Sequence, residues 1–149
     1  MAKAKTIVVG YDDKDPAKRA LQYAVDEAKR ARARLIVLVV DPMPLNPQGI
    51  QNYGTLDDSP PVLQPLEPPD DVQAILEHAR EMVETSGVEA ELAWSAGDPS
   101  TEIVATARDA QADLVVLGKH HHNGLVKFFS LDTADAVERE LPSELVVVD

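Results

Sequence analysis

Short runs of apolar residues alternate along this chain with longer stretches in which apolar residues recur every three or four positions. The runs at 7–11, 34–40 and 113–118 consist mainly of valine, isoleucine and leucine, which is typical of buried strands. An apolar run at 145–148 predicts a last strand. Residues 88–94 differ, because apolar side chains alternate there with glutamate and a small alanine. That alternation predicts a half-exposed strand at an edge of the sheet.

Stretches with helical periodicity lie between these strands. The Asp15–Pro16 pair predicts the start of the first helix, with the aspartate as N-cap and proline at the first helical position. Gly87 predicts a left-handed cap at the end of a helix over 70–86. Asp98 predicts the cap of the next helix, and a last helix is expected over about 132–141.

The order of these elements predicts the fold. Strands that alternate with helices of ten or more residues form right-handed βαβ units. We therefore expect a single-domain α/β fold, a three-layer sandwich in which helices cover both faces of a parallel sheet. Ligands of such sheets bind beyond the carboxyl ends of the strands, which directs attention to Asp12 and Asp13, to 39–41 and to Gly118 onward.

One segment, 42–69, interrupts the alternation. It contains eight of the 11 prolines and no hydrophobic period. A loop of this length is uncommon inside a compact domain and is usually functional or poorly ordered. We expect a surface excursion within one domain over 1–149, because neither flank is long enough to fold alone.

Charge and composition exclude several classes of protein. The 149 residues include 26 acidic and 14 basic side chains, for a formal net charge of −12. Binding to nucleic acid or to an anionic membrane is not expected, because both require clustered cations. The absence of cysteine excludes disulfides and thiolate chemistry. With no signal-peptide core and no apolar run near the roughly 18 residues of a membrane span, we expect a cytoplasmic protein.

The polar loop that begins at Gly118 contains the candidate chemistry. Glycines after a strand let backbone amides approach a phosphate, although a loop with two glycines is more often only a turn. The consecutive residues His120, His121 and His122 suggest a zinc or nickel site. Adjacent side chains rarely converge on one ion, so we favour a solvated loop and predict no metal.

Other polar residues have simpler interpretations. Asp12 and Asp13 form either a paired-carboxylate or magnesium site or a turn that caps the first helix, and the turn is favoured because adjacent side chains point apart. His78 is expected at the surface, and Trp94 in the core or an interface. Since the chain contains no hydrolase, kinase or metalloprotease motif, we predict no enzymatic activity.

Four segments together resemble the universal stress protein family. They are IVVGYDD at 7–13, LIVLVVDP at 35–42, GDPSTEIVATARDAQADLVVLG at 97–118 and LPSELVVVD at 141–149. The resemblance covers nearly the whole chain. It implies a Rossmann-like, five-stranded parallel sheet in the order 3-2-1-4-5, and a dimer.

The resemblance also implies where a nucleotide would bind. Members of the family that bind ATP resemble one another in a G-x2-G-x9-G-S/T motif after the fourth strand, and an Asp and a Val contact adenine. Asp12 and Val39 match the adenine-contacting residues. Gly118 matches the first glycine of the motif, and Gly124 matches a further glycine common in the same loop.

Three positions of the motif depart from the family pattern. His121 and Leu131 replace glycines, and Asp132 replaces the hydroxyl residue. A side chain at such a glycine obstructs a phosphate and adds about 1–2 kcal/mol of strain where a positive φ is required. Asp132 adds a repulsion of about 4 kcal/mol at 4 Å for an effective dielectric of 20. Together these changes weaken ATP binding by roughly two to four orders of magnitude.

The leading hypothesis is therefore a dimeric, non-catalytic stress-response module that acts through protein partners and holds no cofactor tightly. The alternative is a nucleotide-binding sensor or weak ATPase that uses Asp12, Val39 and Gly118. AMP or adenosine would then avoid much of the conflict with Asp132.

The last strand predicts how the chain assembles. It is apolar at Leu145, Val146, Val147 and Val148, and an edge of this kind aggregates unless another strand covers it. Pairing with the same strand of a second copy, the dimer mode that the family resemblance implies, would cover the edge. Val137 and Leu141 on the preceding helix are expected to join that interface.

Overall fold

The computed structural model of the chain describes residues 5–41, 68–119, 137–141 and 143–148. The predicted excursion at 42–69 lies outside this part except for its last two residues, as does most of the predicted helix at 132–141, of which residues 137–140 are described and helical. The strands are β1 (Thr6–Gly10), β2 (Arg34–Asp41), β3 (Ala90–Ala96), β4 (Leu114–Gly118) and β5 (Glu144–Val148). The helices with described ends are α1 (Asp15–Ala31), α2 (Asp70–Ser86) and α3 (Pro99–Asp109).

All strand pairings in the sheet are parallel, and the strand order is β3-β2-β1-β4-β5. The predicted α/β fold with the order 3-2-1-4-5 is therefore confirmed. β1 lies at the centre, where Val8 pairs with Ile36 of β2 on one side and Val115 of β4 on the other. The two edges are β3 and β5, as the sequence predicts.

Successive side chains of the central strands enter two separate cores. On one face, Val9 and Val37 pack in a core with α1 and α2. On the other face, Val8 and Ile36 pack in a core with α3 and Val137. The sandwich consequently has three layers. The connection after β1 contains α1 and lies on the first face. The connection after β4 contains Val137 and lies on the second face. The direction of winding therefore reverses between β1 and β4.

The helix termini follow local side-chain chemistry. Asp98 caps α3, because its carboxylate accepts hydrogen bonds from the Thr101 amide at 3.1 Å and the Ser100 hydroxyl at 2.6 Å. These bonds lower the pKa of Asp98. α2 ends at Gly87 with a φ of 78°, which confirms the predicted left-handed cap. Among the described residues, no helix has the length and apolar character needed to cross a bilayer.

The predicted start of α1 is wrong by one residue. Lys14 is the N-cap and makes no capping bond with its side chain, so Asp15 is the first helical residue and Pro16 follows it. Proline is tolerated there because the first amides of a helix have no partner within the helix. The Asp12 carboxylate accepts instead from the Lys14 amide at 3.0 Å and so organises the turn before the helix.

Two further sequence predictions need correction. The edge strand covers 90–96 rather than 88–94, because β3 pairs along β2 from Leu35↔Ala90 to Asp41↔Ala96. Val137 is fully buried in the second core and Leu141 packs against that core, so Val137 belongs to the interior of the chain and is not exposed for an interface. The predicted alternation itself is confirmed, with Trp94 on the first core and Ala93 on the second.

Candidate functional site

The candidate site lies at the carboxyl ends of β1 and β4. In a parallel sheet of this type, the crevice for a ligand opens where the winding reverses. Asp12 follows β1 and Gly118 ends β4, so both residues lie where the carboxyl ends of the parallel strands meet, which we call the carboxyl edge of the sheet. The predicted placement of Asp12 and Gly118 at the carboxyl ends of neighbouring strands is confirmed.

Asp12 is the buried carboxylate of this edge. It is only 3% exposed, and one of its oxygens holds the Lys14 amide. Burial of an acidic side chain is uncommon unless a bonding network supports it. The residue therefore has a structural role in the turn between β1 and α1, and it also lies where a bound ligand would meet the sheet.

Asp13 points away from Asp12, as expected of adjacent residues. Its backbone has a φ of 66°, a left-handed conformation that aspartate tolerates better than most residues. One carboxylate oxygen accepts from the Tyr11 hydroxyl at 2.9 Å, and the other lies 2.7 Å from Nδ1 of His78 on α2. The two aspartates do not form a paired-carboxylate site.

The contact between Asp13 and His78 was missed by sequence reasoning. The prediction that His78 lies at the surface is right in that its side chain is 55% exposed, but the ring is bonded to the β1–α1 turn. The two residues are 65 positions apart, and neither local periodicity nor a motif connects them. Only the packing of α2 beside α1 brings them together.

Gly118 is required by packing between β4 and α1. A Cβ atom at this position would lie 2.5 Å from the carbonyl carbon of Pro16 and 2.6 Å from the amide nitrogen of Ala17. Both atoms belong to backbone at the start of α1, so they cannot swing aside as a side chain could. Gly118 thus brings the end of β4 against the N-terminus of α1, a role that does not depend on a phosphate.

Val39 has its side chain directed into the first core and is fully buried there. In register it is paired with Trp94 of β3. Because the side chain is enclosed, a ligand at the edge would meet the backbone of β2 rather than the isopropyl group. This placement is compatible with the adenine-contacting role that the family resemblance implies for Val39.

The carboxyl edge carries negative charge after three of its strands. Asp12 follows β1, Asp41 ends β2 and Asp98 follows β3. Burial, and then repulsion from Asp71, raises the pKa of Asp41. The edge is therefore an unfavourable place for a ligand with several negative charges.

The remaining predicted site residues lie outside the part of the chain that the structure describes. They are His121, Gly124, Leu131 and Asp132, together with His120 and His122. Within residues 5–41, 68–119, 137–141 and 143–148, no three acidic or histidine side chains are grouped so that they could hold a metal ion.

The family model of the universal stress protein family matches residues 3–149. The chain belongs to the universal stress protein family. A stress response protein of Bacillus subtilis, NhaX, is 25% identical over 98% of this chain and 99% of its own length. Universal stress protein MJ0531 of Methanocaldococcus jannaschii is 28% identical over 97% of this chain and 81% of its own length.

Solved structures of universal stress proteins have the same fold. A complex with cAMP superposes with a TM-score of 0.68 at 20% identity, over 99% of this chain and 98% of the other. A complex with dAMP from Archaeoglobus fulgidus superposes with a TM-score of 0.66 at 17% identity, over the full length of both chains. At this level of identity the likeness establishes the Rossmann-like architecture of this universal stress protein.

Proposed function

We propose that this universal stress protein is a non-catalytic stress-response module that does not bind ATP tightly and that acts through protein partners. The observation that carries the proposal is the negative carboxyl edge, where carboxylates follow three neighbouring strands. A triphosphate placed there would meet the half-buried Asp41 carboxylate, where charge repulsion is screened less than in water. Asp132, in the phosphate motif of the sequence, adds to the same repulsion.

The decisive measurement is a comparison of ligands that share adenine and differ in charge. Isothermal titration with ATP at physiological salt, with and without magnesium, is expected to give a Kd weaker than about 100 μM, in line with the loss of two or more orders of magnitude in affinity. Trp94, the one tryptophan of the chain, supplies an independent fluorescence signal on β3. A low-micromolar Kd for ATP would overturn the proposal.

A second candidate function is a sensor for AMP or adenosine, with weak ATPase activity as its catalytic variant. The buried Asp12 and the carboxyl end of β2 at Val39 favour it, because the family resemblance implies that these positions contact adenine. Two structural neighbours were solved with cAMP and dAMP, ligands that carry a single phosphate. A thermal shift with adenosine and AMP but none with ATP would support the sensor, while the absence of any shift would support the partner module.

We also propose that the protein is a homodimer that pairs through β5. The Glu144 amide donates to the Asp113 carbonyl, and the Val148 carbonyl accepts from the Lys119 amide. The backbone groups of Leu145 and Val147 therefore point away from β4, to the side where the structure describes no further strand. Val147 is 39% exposed. An apolar edge strand of this kind is a surface that a second strand stabilises.

Val147→Lys is expected to convert the dimer to a monomer. Pairing of two β5 strands would bring the lysine charge into the interface, and the cost of burying it opposes the pairing. Light scattering at micromolar concentration should then change from about twice 16.2 kDa to about 16.2 kDa. Tyr23→Lys on α1 is the matched control, since Tyr23 is 38% exposed and lies on a helix. A monomeric wild type, or a dimer that survives Val147→Lys, would contradict this mode of assembly.

A further inference from the structure

A cleft of about 500 Å³ lies between α1 and α2. Lys18 and Gln22 line it from α1, His78 and Glu81 line it from α2, and Asp13 lies at one end. Of the nucleotide-site positions that the structure describes, Asp12, Val39 and Gly118 do not line this cleft. The cleft adjoins the carboxyl end of β1 through Asp13 and contains the imidazole that is bonded to Asp13.

The partner of His78 determines which ring nitrogen can react. Asp13 already accepts a hydrogen bond from the Tyr11 hydroxyl through one oxygen and faces Nδ1 of His78 with the other. An ionised carboxylate can only accept, so the proton of a neutral His78 ring must lie on Nδ1. The lone pair is consequently on Nε2. Within the described part of the chain, Asp13 is the hydrogen-bond partner of this ring.

Both oxygens of this carboxylate have a partner, His78 on one and the Tyr11 hydroxyl on the other. Tyr11 is fully buried, and its hydroxyl lies 2.9 Å from Asp13 and 3.7 Å from the sulfur of Met82. Burial, and then the bond to Asp13, raises the pKa of Tyr11, so the hydroxyl remains a donor. A carboxylate fixed in this way orients the imidazole and stabilises positive charge that develops on it, which is the arrangement that activates histidine as a nucleophile.

We propose that His78 is a phosphoryl-acceptor site that is modified at Nε2 by small phosphoryl donors such as phosphoramidates and acyl phosphates. The Nε2 lone pair forms the new N–P bond while the bond from phosphorus to its leaving group breaks. With phosphoramidate, ammonia leaves with the protons that its nitrogen already carries. The Nδ1 proton stays on the ring, where the Asp13 carboxylate balances the positive charge of the phosphorylated imidazole.

The charges around the cleft are compatible with this chemistry. Lys18 supplies a cation that can attract the phosphoryl oxygens, and the carboxylates that line the cleft are Asp13, which is bonded to His78, and Glu81 on α2. The exposed side chain of His78 leaves the donor free to approach from solvent. The proposal goes beyond the nucleotide and partner functions above and does not depend on either of them.

The test is to incubate the full chain with phosphoramidate at neutral pH and map phosphohistidine by mass spectrometry under non-acidic conditions. The three histidines at 120–122 serve as internal references. His78 is expected to react at least about tenfold faster than any of them, the low end of the roughly 10- to 100-fold that a carboxylate orienting an imidazole contributes. Equal modification of the four histidines, or none at His78, would overturn the proposal.

Asp13→Asn tests whether the carboxylate positions the ring. Asparagine also tolerates a positive φ, so the turn is expected to remain folded. Reaction at His78 should slow about tenfold or more, while reaction at 120–122 stays unchanged. Nitrogen NMR of the ring should show the Nδ1-protonated tautomer in the wild type. The asparagine carbonyl can still accept from Nδ1, so Asp13→Asn tests the charge of the carboxylate through the rate. An unchanged rate, or a wild-type ring protonated at Nε2, would show that Asp13 does not activate His78.

Discussion

Gly118→Ala is expected to lower the free energy of unfolding by at least about 3 kcal/mol, or to prevent folding altogether. The added methyl group would meet the backbone of Pro16 and Ala17 at 2.5 and 2.6 Å, and neither atom can move without shifting the start of α1. β4 is a central strand between β1 and β5, so a local shift would disturb both cores. Urea unfolding followed by circular dichroism gives the measurement.

Gly87→Ala provides the control for this substitution. Gly87 has a φ of 78°, but a Cβ there would meet nothing within 4 Å. Its replacement is therefore expected to add only backbone strain, about 1 kcal/mol. A loss at position 118 that is no larger than the loss at position 87 would show that α1 can move away from β4, contrary to the close contact described here.

The pattern of apolar residues was sufficient to locate the strands and to distinguish the edge strand β3 from the buried ones. It worked because each central strand is covered by helices on both faces, so Val8 and Val9 both had to be apolar although they enter different cores. The order of the strands required more than the pattern. It came from the family resemblance, because periodicity does not reveal which strands are neighbours.

Contacts between distant residues could not be predicted from local sequence. Asp13 and His78 are joined only because α2 packs beside α1. The interior position of Val137 depends on how its helix crosses the sheet, which neither apolar periodicity nor proximity to β5 reveals. The role of Gly118 was predicted only in part, since a glycine after a strand predicts a close backbone approach but not that the approaching backbone is the N-terminus of α1.

The proposed loss of ATP binding has a complementary prediction with a larger effect. Restoring the family motif with His121→Gly, Leu131→Gly and Asp132→Ser is expected to tighten ATP binding by roughly 100- to 10,000-fold. The two glycines remove side chains that obstruct backbone approach, and the serine replaces an anion with a hydroxyl donor. Isothermal titration of the triple variant against the wild type measures the change directly.

Two further comparisons identify the source of the gain. Adenosine affinity should change little in the triple variant, because Asp12 and Val39, the residues implied to contact adenine, are untouched. Asp132→Asn alone removes the charge but keeps a side chain of similar size, so the gain in ATP affinity that it produces should become smaller as the salt concentration increases.

If the triple variant binds ATP no better than the wild type, the three substituted positions do not limit ATP affinity. The negative charge of Asp41 and Asp98 at the carboxyl ends of β2 and β3 would then be the barrier, and neutralising Asp41 in the triple background should release the missing affinity.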